Sequence, residues 1–236
     1  MMARQGLDRV QVIAAARDLV NAKGLDALTM RALSAALGVE APSLYGHVKD
    51  KADILDGLAE LVYSEVYVPA TRDEWPRRIQ LYCNGFRRAL LKNPNLASLV
   101  ATRPVLSLST LDIIESGLAE MRQHGLSVEQ ATFAFDTIAS FVTGHVLFEL
   151  TSTEQTKVMG GHDPARLASA RAALPADRYP NVRLALGTTI DRTAEFNFGV
   201  SLIVEGLRPL VERQQPEHNL SGPNVPRTAG GATFRR

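Results

Sequence analysis

Apolar residues recur at intervals of three and four along most of the chain, which is the spacing of amphipathic helices. The first such stretch begins after Asp8, whose pairing with Gln11 is a variant of the N-terminal capping box, and reaches about Lys23 before Gly24. No segment shows the alternating pattern of a half-buried strand. The pattern therefore predicts an all-α fold.

The stretch 29–51 predicts two short helices joined by a tight turn. Thr29 is a candidate N-cap, and Gly38 follows the last apolar position of that helix, where glycine tolerates the positive φ of a helix end. Pro42 suits the first turn of the next helix, expected at about 41–48. Its strong apolar anchors are Leu44 and Val48. This outline is a helix-turn-helix, whose second helix enters the major groove of DNA.

The residues of this stretch go beyond the outline. The sequence LGVEAPSLYGHVKDKADILDGLAE closely resembles the DNA-binding segment of the TetR family of bacterial repressors. A helical hairpin buried in a larger helical protein is the alternative, but it does not explain why Tyr45, His47, Lys49 and Lys51 are polar. We therefore expect residues 1–51 to form a three-helix DNA-binding domain.

The remainder of the chain predicts a larger helical body at 52–214. Helices are expected at about 52–66, 75–92, 96–101, 108–124, 127–150 and 193–214. The segment 151–181 contains glycines and prolines, so we expect a mobile surface segment with one weak helix at 164–173. The Gly-, Pro- and Ser-rich residues 215–236 predict a disordered tail.

Composition argues against some classes of function but does not identify one. The 236 residues are 45% hydrophobic with a net charge of +1, so there is no global basic signal for nucleic acid. Cys83 is the only cysteine, which excludes an internal disulfide and favours a cytoplasmic location. No signal peptide opens the chain, and no apolar run approaches the length of a membrane span, so no membrane association is expected.

The body also resembles a known class. The segments FRRALL, ATRP, GLSVEQA, FVTGHVLFE and FNFGVSLIVEGL are similar in order and spacing to the body of the tetracycline-repressor class. This resemblance implies a homodimeric repressor whose last two long helices form the dimer bundle. It also implies that a small-molecule effector enters the body, that the helix between head and body then swings, and that the dimer leaves a palindromic double-stranded DNA operator.

The resemblance also assigns residues to the DNA contact. The candidates are Thr29, Arg31, Ala41, Pro42, Ser43, Tyr45, Gly46, His47 and Lys51. Arg31 can form two hydrogen bonds to a guanine. We expect Tyr45 and Lys51 to bind phosphates, which positions the protein without specifying a DNA sequence. Ala41 and Gly46 stand where the class has larger groove-contacting side chains. We therefore expect an operator different from that of the tetracycline-resistance genes.

For the effector pocket, the resemblance implies ten residues of the body. They are Tyr67, Tyr82, Phe86, Leu99, Thr102, Arg103, Pro104, Ser140, His145 and Phe148. The class binds its drug as a magnesium chelate through a histidine, but that position is Leu99 here. Ser140 stands where the class has its second pocket histidine, and Phe148 stands where the class has the acid that helps hold magnesium. We therefore expect no metal and no cofactor, and an apolar or aromatic effector with Arg103 or His145 as its polar anchor.

Three other functions compete with a repressor. An activator of the same architecture has the same sequence features. A helical enzyme could use His145 and Glu149, which lie four residues apart on one helix face, but the chain has no nucleophile elbow, phosphate loop or paired-histidine metal motif. A protein-interaction module would bind DNA without sequence preference. Purified protein would show turnover only if the enzyme hypothesis held.

Overall fold

The structure, a computed structural model, describes residues 7–66, 74–103, 107–159 and 164–212. Within these ranges the chain forms eleven α-helices and no strand, which confirms the predicted all-α fold. The helices are α1 Arg9–Lys23, α2 Met30–Leu37, α3 Ala41–Leu44, α4 Lys51–Ser64, α5 Trp75–Lys92, α6 Ala97–Thr102, α7 Leu108–Gln123, α8 Val128–Met159, α9 Pro164–Ala173, α10 Pro180–Ala185 and α11 Arg192–Glu212.

Helices α1 to α4 form the head of the molecule, with α4 counted here because it packs against α1, although the predicted boundary lies at residue 51. Both bonds of the predicted capping box are present at the start of α1, since Gln11 N donates to Asp8 Oδ1 at 2.7 Å and Asp8 N donates to Gln11 Oε1 at 3.2 Å. Helix α1 packs against both α2 and α4. It approaches α4 at Gly57, where an added Cβ would lie 2.5 Å from Cδ1 of Ile13. The first helix therefore supports the back of the helix-turn-helix.

The body is centred on α8, which packs against α5, α6, α7 and α11. The stretch Val128–Thr151 is by length and composition apolar enough to cross a membrane, contrary to the expectation that no run approached this length. Packing against four helices buries 33% of this stretch, while Phe133 and Phe148 remain exposed. Helix α11 comes close to α8 at Gly199, where a Cβ would lie 2.3 Å from Cζ of Phe141.

Two predicted elements differ from the structure. The second helix of the helix-turn-helix, expected at 41–48, ends at Leu44 and continues as a turn, because only Leu44 and Val48 anchor it. The helix expected to stop near residue 150 runs to Met159, so part of the predicted mobile segment is helical. In the same segment α9 confirms the weak helix, while α10 was not predicted. The tail 215–236 lies outside the described residues.

Polar contacts join the body to the head at three places. The side chain of Asn95 donates to the carbonyls of Val20 and Asn21 at the end of α1, at 3.0 and 3.3 Å. Glu65, at the end of α4, accepts from Lys92 at 3.0 Å and Asn93 at 2.9 Å. Arg103, which follows α6, pairs with Asp56 and donates to the carbonyl of Ala52 at 3.0 Å. The segment 92–103 therefore contacts both α1 and α4.

Candidate DNA interface and effector site

The turn between α2 and α3 has the geometry that its sequence predicts. The Thr29 hydroxyl accepts from Ala32 N at 3.0 Å and caps α2, which agrees with its expected role. Gly38 has φ of 66° and ends α2 in the left-handed conformation. Its N–H and that of Val39 donate back to carbonyls of the last turn. The turn is thus fixed locally, before any contact with DNA.

Helix α3 presents most of the predicted contact residues to solvent. Its anchors Leu44 and Val48 are 0% and 2% exposed and fix the helix on the head. The exposed residues are Pro42, Ser43, Tyr45 and Gly46, and Ala41 and His47 are half-buried. Tyr45 is 57% exposed, which is unusual for an aromatic side chain without a partner surface. A small, solvent-facing surface of this kind fits a major groove about 12 Å wide.

The start of α4 lies beside this surface. Asp50 caps α4 by accepting from Asp53 N at 2.9 Å, and Lys51 is exposed in the first turn. The carboxylate of Asp53 accepts from Lys49 N at 2.9 Å and from Arg9 at 3.0 Å, and these bonds hold its pKa below the ordinary value. The Asp50 carboxylate thus occupies an N–H group of the helix start, and Lys51 is an exposed cation beside it.

Four aromatic rings from three helices meet inside the body. Phe86 stacks with Tyr63 at a centroid distance of 5.7 Å and lies 6.1 Å from Tyr82, whose ring is 6.3 Å from Phe135. Burial raises the pKa of both tyrosines above the ordinary value, so both are neutral phenols. We call Tyr63, Tyr82, Phe86 and Phe135 the aromatic cluster. It joins α4 of the head to α5 and α8 of the body.

The residues around α6 do not all face this cluster. Leu99 is 6% exposed and belongs to the core, whereas Thr102 is exposed and donates to Ser98 O at 2.9 Å. Asp56 and the Ala52 carbonyl bind the guanidinium of Arg103, so an effector anchored at Arg103 would have to displace them. The pairing with Asp56 raises the pKa of Arg103. Tyr67 and Pro104 lie outside the described residues.

Ser140 and Phe148 lie on a different side of α8. Both are exposed, Phe148 to 59%, so within one chain they do not join Tyr82 and Phe86 as the sequence suggested. They share the exposed face of α8 with Phe133, and the adjoining face of α11 exposes Phe198 and Leu202. We call Phe133, Ser140, Phe148, Phe198 and Leu202 the outer face. Large apolar side chains in solvent mark this surface for a partner.

His145 belongs to a buried polar cluster that the sequence did not predict. Arg87 binds Glu149 through two nitrogens at 2.9–3.2 Å, and Arg192 binds Glu195 at 2.8 Å. The His145 ring lies between these glutamates, 3.9 Å from Glu149 and 3.7 Å from Glu195. Burial lowers its pKa although both glutamates raise it. We call these five residues the polar cluster.

Comparison with known proteins gives two family matches. The family described as "Bacterial regulatory proteins, tetR family" matches residues 12–58. The family described as "Tetracyclin repressor-like, C-terminal domain" matches residues 68–211, more than half of the chain. The chain belongs to the TetR family. The two matched segments correspond to the head and the body described above.

Individual TetR-family proteins resemble most of this chain. The tetracycline repressor protein class A from transposon 1721 of Escherichia coli is 32% identical over 218 residues, which are 90% of this chain and 94% of that repressor. The crystal structure of apo ActR from Streptomyces coelicolor has a TM-score of 0.78 at 28% identity, covering 90% of this chain and 99% of ActR. The structure of ActR in complex with actinorhodin has a TM-score of 0.76 at 29% identity, covering 87% and 99%.

These relatives establish the class of function. The chain is a TetR-family, DNA-binding transcriptional repressor that responds to a small-molecule ligand. In this TetR-family protein, sequence analysis missed Tyr63 and Phe135 of the aromatic cluster. Their helical spacing places them on inward faces, but no sequence signal says which inward residues share one site. The Arg103–Asp56 pair was missed for the same reason, since its partners are 47 residues apart.

Proposed function

We propose that the protein represses transcription as a homodimer on a two-fold-symmetric operator and leaves it when a flat aromatic molecule binds the body. The observation that supports this most is the surface of α3, where Leu44 and Val48 alone hold the helix and the side chains around them face solvent. Among the residues that the structure describes, these exposed side chains contribute little to packing. It is suited to a groove of DNA.

The proposed dimer rests on the outer face. Phe133, Phe148, Phe198 and Leu202 are each 59–67% exposed and lie on the two neighbouring helices α8 and α11. Two such helices from each of two chains would bury these side chains in a four-helix bundle. The described head also carries one helix-turn-helix, and half-sites about 34–36 Å apart on DNA are read by two heads. A palindromic operator follows from the same symmetry.

In this complex each predicted DNA residue has a proposed role. Arg31, exposed on α2, bonds to a base edge, and Tyr45 and Lys51 bind phosphates. Thr29 caps α2 and holds Arg31 in register. The α3 surface of Ala41, Pro42, Ser43, Gly46 and His47 lies against the bases. Because Ala41 and Gly46 have almost no side chain, the groove is contacted closely by backbone at these positions.

The proposed effector is a multi-ring aromatic molecule bound without a metal. The aromatic cluster supplies ring faces from α4, α5 and α8, and Leu99 has no atom that ligates a metal. Among the residues described, no group of three histidine, cysteine or acidic side chains is placed to hold a metal ion. The related ActR was solved with actinorhodin, and a related TetR from Acinetobacter baumannii with minocycline. Ring stacking against such a ligand would displace Tyr63 and, with it, α4.

We place this regulator in the cytoplasm, because its one thiol is reduced and buried and its target is DNA. We also propose that it has no enzymatic activity. Glu149, the acid in the enzyme hypothesis, is held by two nitrogens of Arg87 and lies 3.9 Å from His145. A general acid or base needs to reach a substrate, and this carboxylate is committed to an ion pair inside the body.

The DNA-binding proposal is tested with duplexes selected from a random pool. We expect a two-fold-symmetric site, bound about 10³-fold or more tightly than a scrambled duplex, with a steep dependence on salt. Lys51→Ala should weaken both duplexes alike, whereas Arg31→Ala should relax selection at one position in each half-site. Arg88→Ala removes an exposed charge from the body and serves as the control. Equal, weak binding to both duplexes would contradict the proposal.

The effector proposal is tested on the complex of protein and selected duplex. Actinorhodin and tetracycline are the first probes from a panel of multi-ring aromatic compounds, each added with Mg²⁺ and with a chelator. We expect release of the duplex to be independent of Mg²⁺. Tight, stoichiometric binding of tetracycline only in the presence of Mg²⁺ would contradict a metal-free site. Release by open-chain compounds alone would contradict the aromatic class.

A further inference from the structure

The polar cluster takes no part in the DNA interface or in the aromatic cluster. Its histidine is unusual among the residues that the structure describes, because both ring nitrogens are buried without a hydrogen-bond partner. The His145 side chain is only 9% exposed. Roughly nine-tenths or more of buried polar groups in proteins are hydrogen-bonded, so this imidazole needs a physical explanation.

The two ring nitrogens face groups that only accept hydrogen bonds. Nδ1 lies 3.9 Å from Oε2 of Glu149, and Nε2 lies 3.7 Å from Oε2 of Glu195 on the other side. A neutral imidazole has one N–H and one lone pair, so in either tautomer a lone pair points towards a carboxylate. The imidazolium alone has a donor for each glutamate. Both gaps are too short for a bridging water, which needs two bonds of about 2.8 Å.

Burial opposes this protonation most, the two glutamates favour it, and the two arginines oppose it. The charged groups that face His145 are Arg87 from α5, Glu149 from α8, and Arg192 and Glu195 from α11. Each glutamate is already paired with its arginine, so the cluster is neutral while His145 is neutral. The rings of Phe141 and Phe196 lie 5.8 and 5.1 Å from the imidazole and limit its access to water. A proton can enter only if Glu149 turns from Arg87 towards the ring.

We propose that His145 is an acid sensor whose protonation draws Glu149 away from Arg87 and loosens the packing of α5 on α8. The sensor is independent of the proposed operator and effector. The sensor acts on the proposed dimer through its position, because α8 and α11 also carry the outer face. Acid would therefore loosen the support that α5 gives to α8, one of the two helices on which the proposed dimer is built.

The direction of the effect follows from linkage. Burial holds the pKa of His145 below the ordinary value near 6.5, so as pH falls the unfolded chain takes up this proton before the folded chain does. The contribution of His145 to stability is complete above about pH 6.5. It is lost as pH falls from there through the lowered pKa of the folded state.

The test compares the full-length chain with His145→Gln and with His124→Gln. His124 is the matched control, because it also lies four residues from a glutamate, Glu120, but is 32% exposed. The midpoint of urea unfolding is measured from about pH 5 to pH 8 at one protein concentration. We expect the wild type and His124→Gln to lose stability alike below about pH 6.5, and His145→Gln to lose less. An unchanged pH dependence in His145→Gln would overturn the proposal.

A second measurement does not depend on the folding of that variant. Imidazole resonances of the wild type are followed through the same pH range, and the other four histidines are assigned by their own Gln variants, which leaves His145. We expect the His145 resonance to titrate with a midpoint below 6.5, together with a shift in the side chain of Arg87. A midpoint at or above 6.5, or titration without movement of Arg87, would overturn the sensor.

Discussion

Replacing Gly57 by alanine should separate α1 from α4 and destabilise the head. Gly57 is buried in the middle of α4, and a Cβ there would lie 2.5 Å from Cδ1 and 2.9 Å from Cγ1 of Ile13, with Arg9 Nη2 at 3.3 Å. Ordinary carbon–carbon contacts are about 3.5–4.0 Å, so the helices must part or Ile13 must leave its rotamer. Overpacking of this kind costs about 1–3 kcal/mol.

A control substitution at a second glycine separates the cost of the clash from the change in helix propensity. Any Gly→Ala change inside a helix also gains about 1 kcal/mol in helix propensity, which masks part of the clash. At Gly206 in α11 a Cβ has no neighbour within 4 Å, so Gly206→Ala shows the gain alone within the chain. We expect the free energies of unfolding of the two variants to differ by about 1–3 kcal/mol, with Gly57→Ala the less stable.

A double-mutant cycle identifies the contact responsible. Ile13→Val deletes Cδ1, the atom nearest the added methyl group, and alone costs about 0.5–1.5 kcal/mol. Combined with Gly57→Ala it should cost less than the sum of the two single changes. Chemical denaturation at one protein concentration measures all four proteins, because the stability of a dimer depends on concentration. Equal stability of Gly57→Ala and Gly206→Ala, or strict additivity with Ile13→Val, would refute this account of the α1–α4 contact.

Three further predictions concern single contacts. Glu149→Gln should cost about 3–5 kcal/mol in urea unfolding, because it leaves the buried Arg87 guanidinium without its charge partner, and a cost below about 1 kcal/mol would contradict this. Asn95→Ala should cost about 0.5–1.5 kcal/mol and speed amide exchange at the end of α1, whereas unchanged exchange would show that the body does not hold that helix. Cys83 is fully buried with its pKa raised to about 12, so a thiol reagent should label it only after unfolding, and rapid labelling of the folded protein would refute its burial.

Local signals predicted the head well. Asp8, Thr29 and Gly38 each fix a helix end through bonds to residues a few positions away, and the structure shows these caps. The end of α8 was mispredicted, because its last turns carry polar residues that resemble a loop. Capping and periodicity are local, so a short window of sequence contains them.

The sites in the body were less accessible to sequence analysis. Tyr82 and Phe86 were identified by resemblance, but their neighbours Tyr63 and Phe135 come from other helices. The bond between Arg103 and Asp56 was not predicted, because an arginine beside a proposed pocket looks the same in sequence whether it faces a ligand or an aspartate on α4. Which charges meet depends on tertiary packing between distant segments.

The contacts between head and body determine how much free energy is needed to change the position of the head relative to the body. Besides the apolar contacts of α4 with α5, α6 and α7, polar bonds of Asn95, Glu65 and Arg103 join the head to the body. Each bond contributes about 0.5–1.5 kcal/mol, because water replaces it when it breaks. Reversing a two-state population from 1:99 to 99:1 needs about 5.5 kcal/mol of differential binding. A ligand of ordinary affinity can thus supply enough differential binding to break these polar bonds, and the apolar contacts between α4 and the body must rearrange with them.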